Sequence, residues 1–552
     1  MKAQPRSFKV LLGLLIFVVG LELVAPFVVQ SVGVDGPGQL NLERQFNSMI
    51  ARGVWIPRWV PEGFHGFGSP AFYFYPPLAF YLTASLQTLT GITNPYTLFQ
   101  FAGLIGTVAS FASAWYLFAM LGARGWPLMF GSFLYAFGPF RIAELYSRSS
   151  LSSHIGYVFV PLIAAGIIKL FSTNPNTRIR GVLLTAIIGA LLVLTSIPLT
   201  LLIGIAIVAV MIALHREINA RGLLLLVGAG LVSLLLSLWY LCSVVTYQRF
   251  AQLATLTAKR EFIIDDLLHL QNLPTLFHVG IIVAGIATAI LAALPARAWL
   301  GYSAVERAVL RSGLAITVVV VLLELPIVRS FLWGSVPYLA LIQGSWRFFI
   351  LLLLFIAMFV ALAKTRKLVA ASNVIVLIFG VSAILPAMMI VFNLHLFPHH
   401  NDPLTDQMEY APAYTLSNQA ALDSLLPASA PIILSSSHET KPSDHIVSIR
   451  GTMTSDEYDV QLAANRQVTF HRFYWPAWHL TVNGHTVQSY PDGLGRATTT
   501  LEAGHYSAIW HLEQSPLEWA GRWISELAFG GMLATLVIGL FRGWFKQNSS
   551  AT

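Results

Sequence analysis

Long apolar runs constrain this chain more than any other feature of its sequence. Each run approaches the roughly 20 residues that a helix needs to cross the hydrocarbon core of a bilayer. The runs lie near residues 10–30, 97–120, 126–141, 155–172, 181–196, 198–214, 222–242, 273–295, 309–328, 346–363, 368–395 and 518–541. Charged residues make up only 11% of the 552 residues, against roughly 25% in soluble domains. The pattern excludes a soluble enzyme, a disordered chain and a fibrous repeat.

The distribution of basic residues predicts how the chain is oriented. Lysines and arginines outnumber acidic residues 33 to 25 and gather in short groups between apolar runs, which is typical of cytoplasmic loops and not of a nucleic-acid-binding surface. All these groups share one side of the membrane only if residues 72–89, which contain Pro76-Pro77, do not cross it. We therefore expect about twelve spans in the cytoplasmic (inner) membrane, with both termini cytoplasmic.

The polar segments divide the chain into domains. Residues 1–395 form a predicted transmembrane domain with a large first extracytoplasmic loop at 31–96, and residues 517–552 form a last helix and a cytoplasmic tail. Between them, residues 396–516 alternate polar and apolar positions, and Asn483-Gly484 separates two such stretches, a strong signal for a tight hairpin. This pattern predicts an extracytoplasmic β-sandwich-like domain that folds by itself. The only cysteine, Cys242, excludes a disulfide within the chain.

The first loop has the densest motifs, and they carry a resemblance. Asp35-Gly is followed by Gly53-x-x-x-Pro-Arg-Trp, Gly66-x-Gly-x-Pro and Phe-Tyr-Pro-Pro-Leu; Pro139-Phe-Arg141, Gly344-Ser-Trp-Arg-Phe348 and Glu409-Tyr-Ala-Pro412 occur further on. Together these resemble a bacterial multi-span family labelled 6-pyruvoyl-tetrahydropterin synthase-related, which looks like a branch of the GT-C glycosyltransferases. Tyr474-Trp-Pro-Ala-Trp478 with Val482-Asn-Gly484 resembles the C-terminal β-domain of YfhO-like proteins.

The resemblance implies a mainly α-helical, polytopic GT-C-like membrane enzyme. Such an enzyme would transfer a hexosyl group from a polyprenyl-phosphate-linked sugar to a glycan, lipid or protein acceptor of the cell envelope. In GT-C enzymes an acidic residue of the first extracytoplasmic loop acts as general base, and Asp35 is its match. A carboxylate is suited to this because an acceptor hydroxyl is a poor nucleophile until a positioned base takes its proton. An Asp followed by Gly-Pro-Gly is also a common turn sequence.

The remaining candidate residues are basic or polar side chains on the same predicted face. Arginine stabilises a departing phosphate through paired hydrogen bonds, and the predicted donor-phosphate ligands are Arg58, Arg148 and Arg347. The predicted cavity-lining residues are Glu43, Arg44, His65, Tyr75, Glu144 and His154. Many GT-C enzymes have a second acid in the loop after the third span, where this chain has Ser153 and His154. The sequence therefore predicts no metal site and no cofactor.

Two other classes of function remain open on the sequence. A transporter or flippase of a lipid-linked precursor would also need many spans, but such proteins commonly contain internal repeats and charges at mid-membrane depth. A non-catalytic envelope assembly protein would use the β-domain as a binding module. The gathering of polar residues on one face, without an internal repeat, favours the enzyme.

Overall fold

The computed structural model describes six main stretches of the chain, with short pieces between them. The main stretches are residues 6–29, 36–216, 218–251, 302–324, 345–364 and 445–548, and the short pieces are 285, 342, 368–369, 372–377 and 433–435. Asp35, the apolar run at 273–295 apart from residue 285, and most of the run at 368–395 lie outside the described residues.

Helices dominate the described residues up to position 361. They are α1 (Arg6–Val28), α2 (Gly36–Ala51), α3 (Ala71–Phe74), α4 (Leu78–Thr90), α5 (Pro95–Met120), α6 (Gly125–Phe137), α7 (Pro139–Ile142), a π-helical turn (Ala143–Ser147), α8 (Leu151–Gly156), α9 (Phe159–Leu170), α10 (Pro175–Val193), α11 (Ile197–Ala213), α12 (Ala220–Tyr247), a 3₁₀ turn (Gln248–Phe250), α13 (Ala304–Glu324), a 3₁₀ turn (Ser345–Phe348) and α14 (Phe349–Ala361). The last helix, α15 (Pro516–Asn548), follows the strands.

Local sequence determines where several of these helices begin. Helices α5 and α10 each begin at a proline preceded by an asparagine cap: the Asn94 side chain accepts from the backbone N–H of Thr97 at 3.1 Å, and Asn174 accepts from Asn176 at 2.9 Å. Proline fits the first helical position because its missing N–H would have no intrahelical partner there, and the asparagine oxygen satisfies one of the remaining donors.

Four described helical segments are long and apolar enough to cross a membrane: Pro95–Met120, Leu151–Leu170, Pro175–Val193 and Ala220–Phe250. Shorter apolar helices cover Leu15–Val28, Ile197–Ala213 and Phe349–Ala361. The chain is therefore a mainly α-helical, multi-span membrane protein with a C-terminal β-domain, as predicted. The count of about twelve spans stays a prediction.

Glycines allow neighbouring helices to approach closely. A Cβ added to Gly131 of α6 would lie 2.5 Å from the Ala357 carbonyl oxygen of α14, and one added to Gly313 of α13 would lie 1.8 Å from the Phe355 ring. Small residues at such contacts are common between membrane helices because the bilayer provides little hydrophobic driving force for their association. Here they bring α6, α13 and α14 together.

Residues 72–89 form two short helices and not one long one. Helix α3 ends at Phe74, the chain is extended at Tyr75, and α4 begins at Leu78 after the Pro76-Pro77 pair. Helix α4 has 13 residues and so rises about 20 Å, well short of the roughly 30 Å hydrocarbon core. The expectation that this segment does not cross the membrane stays a prediction.

The β-domain consists of two antiparallel sheets. Its strands are β1 (Ile433–Ser435), β2 (His445–Gly451), β3 (Ser455–Leu462), β4 (Arg466–Phe473), β5 (Trp478–Val482), β6 (His485–Val487), β7 (Tyr490–Pro491), β8 (Arg496–Leu501) and β9 (Gly504–Leu512). One sheet has the order β1-β4-β8-β7 and the other β2-β3-β9-β5-β6. Buried residues of both sheets, such as Phe470 of β4 and Trp510 of β9, share one core, which confirms the sandwich.

The predicted hairpin has the geometry expected for its sequence. Strands β5 and β6 pair directly, with Val482 opposite His485. Asn483 and Gly484 between them have φ values of 50° and 82°, the pair of positive angles that a type I′ turn requires.

The core of the β-domain also contains residues from far outside the 396–516 segment. The same buried cluster as the strands contains Trp59, Phe64, Phe67 and Tyr73 of the first loop, and Tyr247 at the end of the long helix α12. Segments 41–80 and 238–256 accordingly group with the C-terminal part of the chain in one compact unit, while residues 1–40, 81–237 and 257–403 form the other. The boundaries 396–516 stay a prediction, and the aromatic core of the described β-domain also includes residues of the first loop.

Candidate functional site

A cluster of buried polar residues surrounds the π-helical turn in the unit that contains α5 to α11. Arg141, Glu144 and His154 are each no more than 1% exposed. A π-helical turn is rare and is frequently found at functional sites; this one covers Ala143–Ser147 and begins two residues after Arg141. Ser149, just beyond it, has a φ of 57°. We call Arg141, Glu144, His154 and Arg347 the buried arginine cluster.

Arg141 lies at the centre of the buried arginine cluster. Its guanidinium lies 5.1 Å from the ring centroid of Tyr157 and 5.9 Å from that of Tyr135. Its Nη2 is 3.3 Å from His154 Nε2. Among the residues that the structure describes, Nε and Nη1 of Arg141 have no hydrogen-bond partner. A buried cation with donors left unsatisfied is costly, so acceptor atoms of a ligand would be favourable there.

Other charged side chains of this unit interact electrostatically with Arg141. The carboxylates of Glu22 and Glu144 lie close enough to attract it electrostatically. Tyr157 interacts with the charges of Glu144, Arg347 and Arg141 alike, which places these groups around one tyrosine. Arg141 thus has two acids near it, and Tyr157 lies within electrostatic range of both arginines.

His154 is packed and not solvated. Its Nε2 lies 3.1 Å from both the Thr107 hydroxyl and the Gly103 carbonyl oxygen. Gly106 makes room for the ring, since a Cβ there would lie 2.8 Å from His154 Cδ2. The imidazole thus contacts Arg141 from a fixed position on α8.

Glu22, within the first helix, reaches the same part of this unit. The Tyr146 hydroxyl donates to Glu22 Oε2 at 3.1 Å, which joins α1 to the π-helical turn. An ionisable residue inside a membrane helix is costly and usually faces protein or water. Glu22 is 5% exposed and faces protein here.

Arg347 and Arg148, two of the predicted phosphate ligands, both belong to this unit. Arg347 is partly buried, and its Nε donates to the Ile342 carbonyl oxygen at 3.0 Å. Arg148 is also partly buried, immediately after the π-helical turn. Asp35, the predicted base, lies outside the described residues, and its role stays a prediction.

Arg58, the third predicted phosphate ligand, forms a buried ion pair in the second unit. Its Nε lies 3.3 Å from Glu518 Oε1, and the two side chains are 10% and 0% exposed. With the Gln514 amide oriented to satisfy its neighbours, its oxygen accepts from both terminal nitrogens of Arg58, at 2.9 and 3.1 Å. The positive charge of the guanidinium is thus compensated by Glu518 and its nitrogens are hydrogen-bonded within the protein. To bind a phosphate, Arg58 would have to leave Glu518.

Three further predicted cavity residues lie in the first loop, each in a different setting. Glu43 is buried on α2. Arg44 forms an ion pair with Glu62 at 2.7 Å, where both side chains are about half exposed. Tyr75 contacts the Phe80 ring, with centroids 5.1 Å apart.

His65 is the last predicted cavity residue, and it belongs to a strained turn. Its φ is 58°, and Phe64, Gly66 and Gly68 also have positive φ values. Its carbonyl oxygen accepts from His471 Nε2 at 3.0 Å, so its backbone joins the turn to strand β4. The Gly66-x-Gly motif therefore has a conformational and packing role: a Cβ on Gly68 would lie 2.1 Å from the buried Trp59 indole nitrogen.

Two central residues were not among the predicted site residues. Arg141 was part of the Pro139-Phe-Arg141 match, and an arginine next to an apolar run in an otherwise charge-poor sequence was the available signal. Glu518 had a weaker signal, as an acid three residues after Ser515, the spacing of a capping box. Its partners become visible only in the fold.

Among the described residues no group of three or more His, Cys, Asp or Glu side chains could hold a metal ion.

The described helices also contain an apolar cleft of about 150 Å³, lined by α9, α11, α13 and α14 residues such as Ile163, Ile203, Ile316 and Phe355. Aliphatic walls of this kind suit a hydrocarbon chain and not a polar ligand.

Comparisons with known proteins give structural likeness only. No protein-family model matches the chain, and no curated protein matches it in sequence. Its similarity to solved structures is partial, with TM-scores below 0.5 for the three described next. The cryo-EM structure of arabinofuranosyltransferase AftD from Mycobacteria is 16% identical with a TM-score of 0.41, over 72% of this chain and 27% of that one.

Two further structures are similar in the same partial way. The apo oligosaccharyltransferase from Archaeoglobus fulgidus is 13% identical with a TM-score of 0.43, over 69% of this chain and 55% of that one. ArnT from Cupriavidus metallidurans, bound to undecaprenyl phosphate, is 14% identical with a TM-score of 0.29, over 63% and 77% of the two chains. This chain thus matches about a quarter of the AftD structure and about half of the oligosaccharyltransferase.

Proposed function

We propose that the chain is a GT-C-type membrane glycosyltransferase. It transfers a sugar from a polyprenyl-phosphate-linked donor to an acceptor of the cell envelope, on the extracytoplasmic face of the cytoplasmic membrane. The observation that carries this proposal is the buried arginine cluster, in which Arg141 is 0% exposed and keeps two donor nitrogens without partners among the described residues.

The chemistry assigns a separate role to each charged group. Asp35 takes the proton of the acceptor hydroxyl, and the acceptor oxygen attacks the anomeric carbon of the donor sugar. The bond from that carbon to the phosphate oxygen breaks, and the polyprenyl phosphate leaves with the bonding electron pair. Arg141, Arg148 and Arg347 stabilise the charge that develops on this phosphate.

The surroundings of Arg141 fit a cation that receives this charge at one stage of the reaction. Glu22 and Glu144 stabilise the guanidinium before the phosphate is bound, and His154 fixes its position. The rings of Tyr135 and Tyr157 pack against it, which keeps water away from the guanidinium and strengthens its interactions. The apolar cleft among α9, α11, α13 and α14 has the lining that an isoprenoid tail requires.

The proposal is tested by a transfer assay with the purified protein in proteoliposomes. A panel of polyprenyl-phosphate hexoses and pentoses is offered with envelope glycans, lipids and peptides as acceptors, and covalent transfer is detected by mass spectrometry. We expect Arg141→Met to lower transfer roughly 10²–10³-fold, the loss typical of a donor to developing negative charge. The matched control is Arg124→Met, because Arg124 is an exposed arginine that bonds only nearby carbonyls.

Two outcomes would overturn the proposal. Movement of the lipid-linked sugar between leaflets without covalent transfer would identify a flippase. Equal transfer by Arg141→Met and Arg124→Met would remove the buried arginine cluster from the mechanism.

A further inference from the structure

The β-domain contains a cavity that the proposed transfer reaction does not use. Its volume is about 340 Å³, within the roughly 300–1,000 Å³ typical of small-molecule sites. Its lining includes Trp59, Phe67, Ser448, Asp456, Arg472 and Trp478. Strands β2, β3 and β4 and the first loop therefore each contribute a wall, and we call this space the β-domain pocket.

The polar centre of the β-domain pocket is the Arg472–Asp456 ion pair. The side chain of Arg472 is 6% exposed, and its Nη2 contacts Asp456 Oδ2. Its guanidinium lies 3.7 Å from the ring centroid of Trp478 and 5.2 Å from that of Trp510. Within the part of the chain that the structure describes, Nε and Nη1 of Arg472 have no hydrogen-bond partner.

These two nitrogens are buried hydrogen-bond donors that lack an acceptor among the described residues. A buried donor without an acceptor costs on the order of 1–3 kcal/mol, and more when the group is charged. Burial raises the pKa of Asp456 and lowers the pKa of Arg472, and the attraction between the two charges opposes both shifts. Both nitrogens have almost no accessible surface, so a ligand in the pocket would meet Arg472 and Asp456 as a closed ion pair and would reach these donors only if the guanidinium moved.

The charge balance selects the class of ligand. Asp456 already offsets the positive charge of Arg472, so an anion would be attracted by one side chain and repelled by the other. A neutral ligand with hydroxyl groups meets no such conflict, because each hydroxyl can both accept a hydrogen bond from a guanidinium and donate one to a carboxylate.

The remaining walls fit the other half of a sugar ring. Trp59, Phe67, Tyr458 and Trp478 present aromatic surface to the cavity, and a pyranose has an apolar C–H face that packs on such rings while its rim carries hydroxyls. Ser448 and Thr452 are exposed and supply hydroxyls at the edge of the pocket. We infer that the β-domain pocket binds a neutral saccharide unit. This inference does not depend on the proposed transfer reaction, and activity is not its readout.

The experiment is a titration of the full-length protein in a detergent without a sugar head group. Trp59 and Trp478 line the cavity, so intrinsic tryptophan fluorescence reports on its occupancy. The probes are neutral hexoses, pentoses and their disaccharides, with glucuronate and inorganic phosphate as anionic comparisons. We expect saturable binding of at least one neutral saccharide and weaker binding of the anions.

Variants of strand β2 separate binding from folding. Ile446 and Ser448 line the pocket, whereas Val447 between them is 41% exposed and lies on the opposite face of the strand. Ser448→Trp fills the pocket from its edge and should weaken binding at least tenfold. Val447→Trp adds the same side chain to the other face and should bind like the parent protein.

A second variant tests the donors directly. Arg472→Lys keeps the charge but removes Nε and Nη1, and should also weaken binding at least tenfold; if it does not fold, Ser448→Trp alone decides. The inference is overturned if no neutral saccharide binds saturably, if Ser448→Trp binds as well as Val447→Trp, or if only the anions bind.

Discussion

Removing the charge of Glu518 should destabilise the unit that contains the β-domain. This carboxylate is completely buried. It accepts hydrogen bonds from the Ser515 backbone N–H at 2.7 Å, the Ser243 hydroxyl at 2.8 Å and the Tyr247 hydroxyl at 3.3 Å, and it forms an ion pair with Arg58 Nε at 3.3 Å. It therefore connects α12, the first loop and the start of α15 within this unit.

The expected magnitude follows from the burial of both partners. Breaking a buried ion pair by neutralising one partner leaves the other charge uncompensated and typically costs about 3–5 kcal/mol. For a unit of about 200 residues, each kcal/mol lowers the melting temperature by roughly 2–4 °C. Glu518→Gln should therefore lower the melting temperature by about 6–20 °C. The double variant Arg58→Met/Glu518→Leu should recover much of this loss, because apolar residues of similar volume can replace a buried pair.

The assay is thermal unfolding of the full-length protein in detergent, followed by tryptophan fluorescence. Glu526→Gln on the same helix is the matched control, since Glu526 pairs with Arg522 at 2.8 Å but both side chains are at least 39% exposed. An exposed pair contributes about 0–1 kcal/mol, so this control should melt within a few degrees of the parent. Equal melting temperatures for the Glu518 and Glu526 variants would refute the reasoning.

Two other predictions concern the glycines of the first loop and the orientation of the chain in the membrane. Gly68→Ala should destabilise the protein by about 2–5 kcal/mol, because it combines a positive φ with a clash against Trp59. Gly53→Ala has the same φ of 85° but no atom within 4 Å, so it should cost only about 1–2 kcal/mol. Thermal unfolding compares the two variants, and equal losses of stability would contradict the packing argument. In a variant without the native cysteine, Gly91→Cys should react with an impermeant thiol reagent from outside the cell and Arg124→Cys only from inside; labelling from the same side would contradict the predicted topology.

Features determined by neighbouring residues could be predicted from the sequence. The Asn483-Gly484 turn was predicted because its positive φ angles are a property of those two residues and their neighbours. The break in residues 72–89 was expected because of Pro76-Pro77, and the helices begin and end close to the apolar runs. The transmembrane and β-domain classes followed from hydrophobic length and alternation in the same way.

Features that depend on distant residues could not be predicted. The glycine motifs of the first loop were interpreted as part of a reactive site, but Phe67 accepts a backbone hydrogen bond from Phe473 at 2.8 Å, and no local pattern indicates a partner so far along the chain. Arg58 was assigned to a phosphate because its partner, Glu518, is similarly distant in the sequence and no residue near Arg58 indicates the ion pair. Arg141 was missed as a site residue because its importance comes from burial and unsatisfied donors, which only the fold reveals.

The central claim is that the chain transfers a sugar with Asp35 as the general base. The most direct measurement is the rate of transfer by Asp35→Asn on a donor that the parent protein uses, in proteoliposomes. The asparagine keeps the size and hydrogen bonding of a turn residue but cannot take a proton. We predict normal expression and melting temperature with transfer lowered roughly 10²–10⁴-fold, the usual contribution of a general base. Turnover at the parent rate would contradict the claim and leave Asp35 as a turn residue.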